Sequence, residues 1–112
     1  MLLAGDVGAT KTRLGIFSPE RGLRSPLAEA TFMSRRYPDM ETLVREFLKQ
    51  TGLAIGRACF GVAGPVVGER ARITNLSWVI DERQLCAALG ISPVILLNDL
   101  TATAHAIPFL EP

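Results

Sequence analysis

An apolar run, Ile95-Leu96-Leu97, stops abruptly at Asn98-Asp99, and small helix-compatible residues follow in Leu100-Thr101-Ala102-Thr103-Ala104. Behind the turn signal Ser92-Pro93, such a run reads as a strand buried on both faces, as inside a parallel sheet. Open α/β sheets bind ligands beyond the carboxyl ends of their strands, and Asn98 and Asp99 stand at that place. A carboxylate there is costly to desolvate unless a partner or a reaction uses it. The same residue types also cap helices, so this stretch alone leaves Asp99 open between N-cap and chemistry. The helix that follows spans about residues 100–107 and stops before Pro108.

The start of the chain carries a second polar concentration. Residues 2–5 and 14–17 read as short strands, with Asp6-Val7-Gly8-Ala9-Thr10-Lys11-Thr12-Arg13 between them. Strand, glycine-containing turn and strand make a hairpin. Gly8 lets the backbone approach a ligand closely, and successive amides around Gly8 and Ala9 can form an anion-binding nest. Thr10 and Thr12 add hydroxyl donors, and Lys11 and Arg13 add positive charge. Asp6 suits a water-mediated Mg²⁺ contact, because Mg²⁺ takes few protein carboxylates alongside substrate phosphates. A P-loop fails here: Thr10 replaces its second glycine, and the turn leads into a β-like segment instead of a helix. A plain hairpin loop with incidental polar residues stays open as the alternative.

The middle of the chain supplies the remaining layers. Residues 27–33 form a third strand, antiparallel to the first two in a meander. Met40, Leu43, Val44, Phe47 and Leu48 repeat at helical spacing, with Asp39 as N-cap and Gly52 as stop. This helix, over about residues 40–50, reads as a crossover. A buried strand over 58–63 ends in Gly64-Pro65, where a ligand or another backbone can approach. Residues 71–74 form an edge strand. Asn75-Leu76-Ser77-Trp78 then offers polar groups beside an indole, which suits a sugar, while Trp78 equally suits the core. A short helix over 81–89 starts with Asp81 and Gln84 at capping-box spacing and stops at Gly90.

Charge and composition exclude several classes. The net charge of +1 in 112 residues gives no nucleic-acid or anionic-membrane footprint. Arg35-Arg36 reads as a solvated loop. The N-terminus meets Asp6 too early for a signal peptide, and the most apolar window, residues 91–110, is broken by Asn98, Asp99, His105 and prolines. Cys59 and Cys86 lie far apart without a CxxC; free thiols in a cytoplasmic protein are expected, with a disulfide left open. The single His105 supplies no metal cluster.

Three ordered motifs together resemble the bacterial glucokinase family, within the hexokinase and actin superfamily of ATP-binding folds. Residues 5–14, Gly5-Asp6-Val7-Gly8-Ala9-Thr10-Lys11-Thr12-Arg13-Leu14, resemble its first phosphate motif. Thr74-Asn75-Leu76-Ser77-Trp78 resembles its sugar-side loop, and Leu97-Asn98-Asp99-Leu100-Thr101-Ala102 its catalytic strand end. Ala9 and Lys11 depart from the glycine and asparagine frequent in that family. The resemblance implies an α/β, ribonuclease H-like (actin-like ATPase) domain with a mixed β-sheet, an antiparallel N-terminal meander and helices on its faces. It implies phosphorylation of glucose by ATP with Mg²⁺, and Asp99 as general base; a kinase for another hexose, or a non-catalytic ATP-binding module of the same superfamily, stays open as the alternative. Asn98, Asn75 and Ser77 would bind sugar. Asp6, Gly8, Ala9, Thr10, Lys11 and Arg13 would meet the phosphates and, through Asp6, the metal. On this reading residues 1–112 are the small N-terminal domain of a larger enzyme. Its open face is expected to be covered by the remaining parts or by self-association.

Overall fold

The alternation of apolar and polar residues at the N-terminus resolves into a ladder of three strands. The computed structural model describes residues 1–20, 26–73 and 76–98. Strands β1 (Leu2–Val7), β2 (Lys11–Phe17) and β3 (Ala28–Met33) form the antiparallel meander. A single 3-10 turn, Ser34–Arg36, leads toward helix α1 (Met40–Thr51). Strand β4 (Arg57–Val62) then returns beside β1 in parallel, which makes α1 the expected crossover. The two-residue β5 (Val66–Val67), β6 (Arg70–Arg72) and β7 (Val79–Asp81) build a separate three-stranded antiparallel sheet. Helix α2 (Glu82–Leu89) leads to β8 (Val94–Asn98), parallel to β4, and the main sheet runs β3-β2-β1-β4-β8.

The register explains the core. Leu3, Gly5 and Val7 lie level with Ile16, Leu14 and Thr12 on one side, and with Ala58, Phe60 and Val62 on the other. Because strand side chains alternate, these residues share one face of the sheet. Met40, Leu43, Val44 and Phe47 of α1 and Leu85 of α2 join the same buried cluster, so both described helices serve that face. Leu2 and Cys59 point to the other face; they are buried but stand outside that cluster. Phe60, at the centre of β4, is completely buried. Its ring fills the space left by Gly5, where an added Cβ would come within 2.7 Å of the Phe60 ring and of Leu14.

The helices start and stop where their residue types require. Asp39 accepts from the Thr42 N–H at 2.7 Å, and Gly52 ends α1 in the left-handed region at φ 67°. Asp81 accepts from the Gln84 N–H at 3.1 Å at the start of α2. The Arg45 guanidinium of α1 donates to the Ala88 carbonyl at 2.9 Å, covering the open end of α2. The Glu82 carboxylate accepts from the Leu96 N–H at 2.9 Å, which covers part of the outer edge of β8.

Two differences from the sequence reading have local causes. Strands β1 and β2 extend to Val7 and back to Lys11, because Asp6 pairs with Arg13 and Val7 with Thr12 in the ladder. The loop shrinks to residues 8–10. Strand β8 forms an outer edge of the main sheet, and Ile95 and Leu97 are only half-buried, so the expected burial on both faces is corrected. Cys59 and Cys86 are both free thiols, and burial raises the pKa of the Cys59 thiol. The helix expected over residues 100–107 lies outside the described residues.

Replacing Phe60 by Ala should cost about 3–5 kcal/mol of stability, the range for emptying a buried aromatic site. Urea unfolding followed by the fluorescence of Trp78, the chain's one tryptophan, measures it. A second expectation concerns acid. The Arg70 guanidinium, 2.7 Å from Asp81, and then the Gln84 N–H hold the Asp81 carboxyl below its ordinary value of 3.8. A depressed folded pKa contributes stability above the unfolded value and loses it as pH falls through the folded one. The urea midpoint should therefore drop between about pH 5 and pH 2, and less steeply in Asp81→Asn.

Candidate functional site

Parallel pairing decides where the polar residues meet. The register sets Val7, Val62 and Asn98 side by side at the carboxyl ends of β1, β4 and β8. The hairpin turn at residues 8–10 follows Val7 directly, so turn and Asn98 occupy one edge of the sheet with β4 between them. This is the edge at which α/β sheets hold ligands.

The turn is closed and then anchored from outside. The Gly8 N–H donates to the Lys11 carbonyl at 3.0 Å. The Ser34 hydroxyl donates to the Gly8 carbonyl at 2.7 Å, and the Ser34 N–H donates to the Thr10 carbonyl at 2.9 Å. The Thr12 and Ser34 hydroxyls are bonded to each other at 2.8 Å, and both residues are wholly buried. Among the described residues the backbone N–H groups of Ala9 and Thr10 have no hydrogen-bond partner. Thr10 and Lys11 are exposed; Gly8 and Ala9 are half-buried.

Thr12 therefore does not supply the hydroxyl donor expected of it. It lies on the core face with Leu14 and Ile16, while Lys11 and Arg13 take the opposite face. Asp6 sits across the ladder from Arg13, and Asp6, Lys11 and Arg13 are all exposed. The expected phosphate-side residues Asp6, Gly8, Ala9, Thr10, Lys11 and Arg13 thus gather at and beside one turn. Among the described residues, three or more His, Cys, Asp or Glu side chains nowhere assemble into a metal cluster.

At the far strand, Asn98 is exposed, and its Oδ1 accepts from the Val66 N–H at 3.2 Å. Among the described residues its amide nitrogen meets no acceptor. The loop between β4 and β5 ties the two halves of this edge together. The Ala63 N–H donates to the Val7 carbonyl at 2.9 Å, ahead of the hairpin turn, and Val66 holds Asn98. Gly64 is needed for this route: a Cβ there would lie 2.2 Å from the Arg72 carbonyl oxygen. Of the two approaches open to Gly64-Pro65, a second backbone is the one observed.

The sugar-side expectations divide. Ser77 is exposed between β6 and β7. Asn75 and Asp99 lie outside the described residues. Trp78 is a core residue, 2% exposed, and its indole N–H donates to the Tyr37 carbonyl at 3.2 Å. It forms no open stacking platform. Ser34 is the residue that sequence reasoning missed. A serine after a strand and before Arg35-Arg36 reads as an ordinary turn, and its partners are 22 and 26 positions away.

Gly64→Ala should destabilise the chain by about 1–3 kcal/mol, as overpacking does when backbone must move. The urea midpoint of the variant checks this, and an unchanged midpoint would show that the loop yields freely.

A sequence profile described as glucokinase matches residues 3–112. The glucokinase of Nostoc punctiforme is 38% identical over 114 residues, covering 99% of this chain and 33% of that protein. The glucokinase of Psychromonas ingrahamii is 39% identical over 108 residues, covering 96% of this chain and 33% of its own length. Among solved structures, a glucokinase from an Antarctic psychrotroph superposes with a TM-score of 0.81 at 25% identity, covering 98% of this chain and 35% of that one. The chain spans about a third of the length of the relatives it matches. Because that profile spans residues 3–112, nearly the whole of the sequence, the chain belongs to the glucokinase family.

Proposed function

We propose that this chain is the small N-terminal domain of a cytoplasmic kinase that transfers the terminal phosphoryl group of ATP to the 6-hydroxyl of glucose. The observation that carries this reading is the shared edge: the hairpin turn and Asn98 stand level at the ends of parallel strands. Phosphoryl transfer depends on positioning and on neutralising charge spread over the phosphate oxygens. The Ala9 and Thr10 amides and the Thr10 hydroxyl supply donors to those oxygens. Lys11 and Arg13 supply positive charge beside them. The Asn98 amide nitrogen donates to a sugar hydroxyl, with Asn75 and Ser77 as further sugar contacts.

The donor set fits Mg²⁺. An ion held mainly by phosphates and water needs only one or two carboxylates, and the exposed Asp6 beside the turn offers one. Bound there, Mg²⁺ would neutralise phosphate charge. Asp99, next in sequence to Asn98, takes the proton from the attacking hydroxyl. By itself the chain carries one part of such a site, and negligible kinase activity is expected of it alone.

In the full-length protein, Asp99→Asn should lower kcat by about 10²–10⁴ with little change in KM for glucose. A coupled assay of glucose 6-phosphate formation reads this. Turnover near that of the wild type would remove Asp99 from the reaction.

A further inference from the structure

We propose that Ser34 is a positioning residue for the nucleotide phosphates, acting through the hairpin turn without touching them; this rests on the kinase reading above. A turn of small residues gains little from packing, and its amide directions are set by whatever holds its carbonyls. Both outer carbonyls of this turn are held by one residue: Gly8 by the Ser34 hydroxyl at 2.7 Å and Thr10 by the Ser34 N–H at 2.9 Å. With those carbonyls drawn toward Ser34, the Ala9 and Thr10 N–H groups keep no partner among the described residues. Such a pair of amides, fixed in advance, binds an anion without the ordering cost that a loose loop incurs.

The anchor is itself rigid. Ser34 is wholly buried, and its hydroxyl is also bonded to Thr12, which the β1–β2 ladder fixes opposite Val7. A surface serine on a loop would not have this effect, because it could exchange its partners for water. Ser34 also closes the 3-10 turn, its carbonyl accepting from the Tyr37 N–H at 3.1 Å. The strand end β3, the 3-10 turn and the hairpin are therefore joined at a single residue.

The experiment uses the full-length protein with Mg·ATP and glucose as substrates. In Ser34→Ala, KM for ATP should rise about tenfold while KM for glucose and kcat stay within about twofold of the wild type. Amide exchange across residues 8–11 should quicken in the same variant without nucleotide. The lost hydroxyl also leaves Thr12 unpaired in the core, which lowers the thermal midpoint, so stability must be separated from binding. Adding Thr12→Val removes the unpaired group and should recover part of the midpoint, since deleting both partners of a buried bond costs less than deleting one. KM for ATP should stay raised in the double variant. A KM for ATP that returns with the midpoint, or that never moves in Ser34→Ala, overturns the proposal and leaves the kinase reading intact. A wild-type protein that neither binds Mg·ATP nor phosphorylates glucose overturns both.

Discussion

Parallel pairing of β1, β4 and β8 is the constraint from which the rest follows. Parallel neighbours cannot be joined by a tight hairpin; each needs a long connection that leaves the sheet and returns. Here α1 joins β3 to β4, and the small sheet with α2 joins β4 to β8. Both helices pack on the face that carries Leu3, Leu14, Phe60 and Leu96. Because the returning strands point the same way, their carboxyl ends collect on one edge. Asn98 and the hairpin turn are neighbours for that reason, although some ninety residues of sequence separate them.

A sheet tied this way must also accommodate the polar groups that its connections bury. No buried side-chain nitrogen or oxygen among the described residues lacks a partner. The magnitudes explain why. A paired buried hydroxyl gains only about 1 kcal/mol, but an unpaired one costs about 1–3 kcal/mol. Thr12 and Ser34 therefore specify each other more than they stabilise the chain. Trp78 follows the same rule with the Tyr37 carbonyl. Glu82 applies it to the backbone, where an edge N–H of β8 would otherwise stand open to another strand.

What the sequence disclosed follows the range of the interactions. Helix α1 was legible because everything that makes it lies within its own turns: Asp39, Gly52, and apolar residues at 40, 43, 44 and 47. Beyond the meander the sequence reading reached a mixed sheet through family resemblance but no strand order, since pairing between β1 and β4 spans some fifty positions and leaves no local mark. The hairpin was seen, but its strands were read too short. Asp6, Lys11 and Arg13 have loop-like composition, yet they alternate onto the exposed face, which a strand permits. Strand β8 looked buried on both sides because leucine and isoleucine do not reveal which face lacks a cover. Ser34 was invisible, because its importance lies in what is folded against it and not in its neighbours along the chain.

The edge has a further consequence that neither motif shows by itself. Asp6, Lys11 and Arg13 project from the face away from the helices, whereas Asn98 lies in register with Val7 and Val62 on the helix-bearing face. On the proposed reading, phosphates and sugar approach from different sides of one rim, and the chain at that rim is the loop after β4. That loop is fixed at three points: Ala63 to Val7, Gly64 against the Arg72 carbonyl, and Val66 to Asn98. Phosphoryl transfer tolerates little error in the distance between donor and acceptor. A stretch whose backbone N–H groups reach both β1 and β8 would convert that requirement into ordinary main-chain geometry. Its sequence then needs little more than a glycine where a side chain would strike a carbonyl.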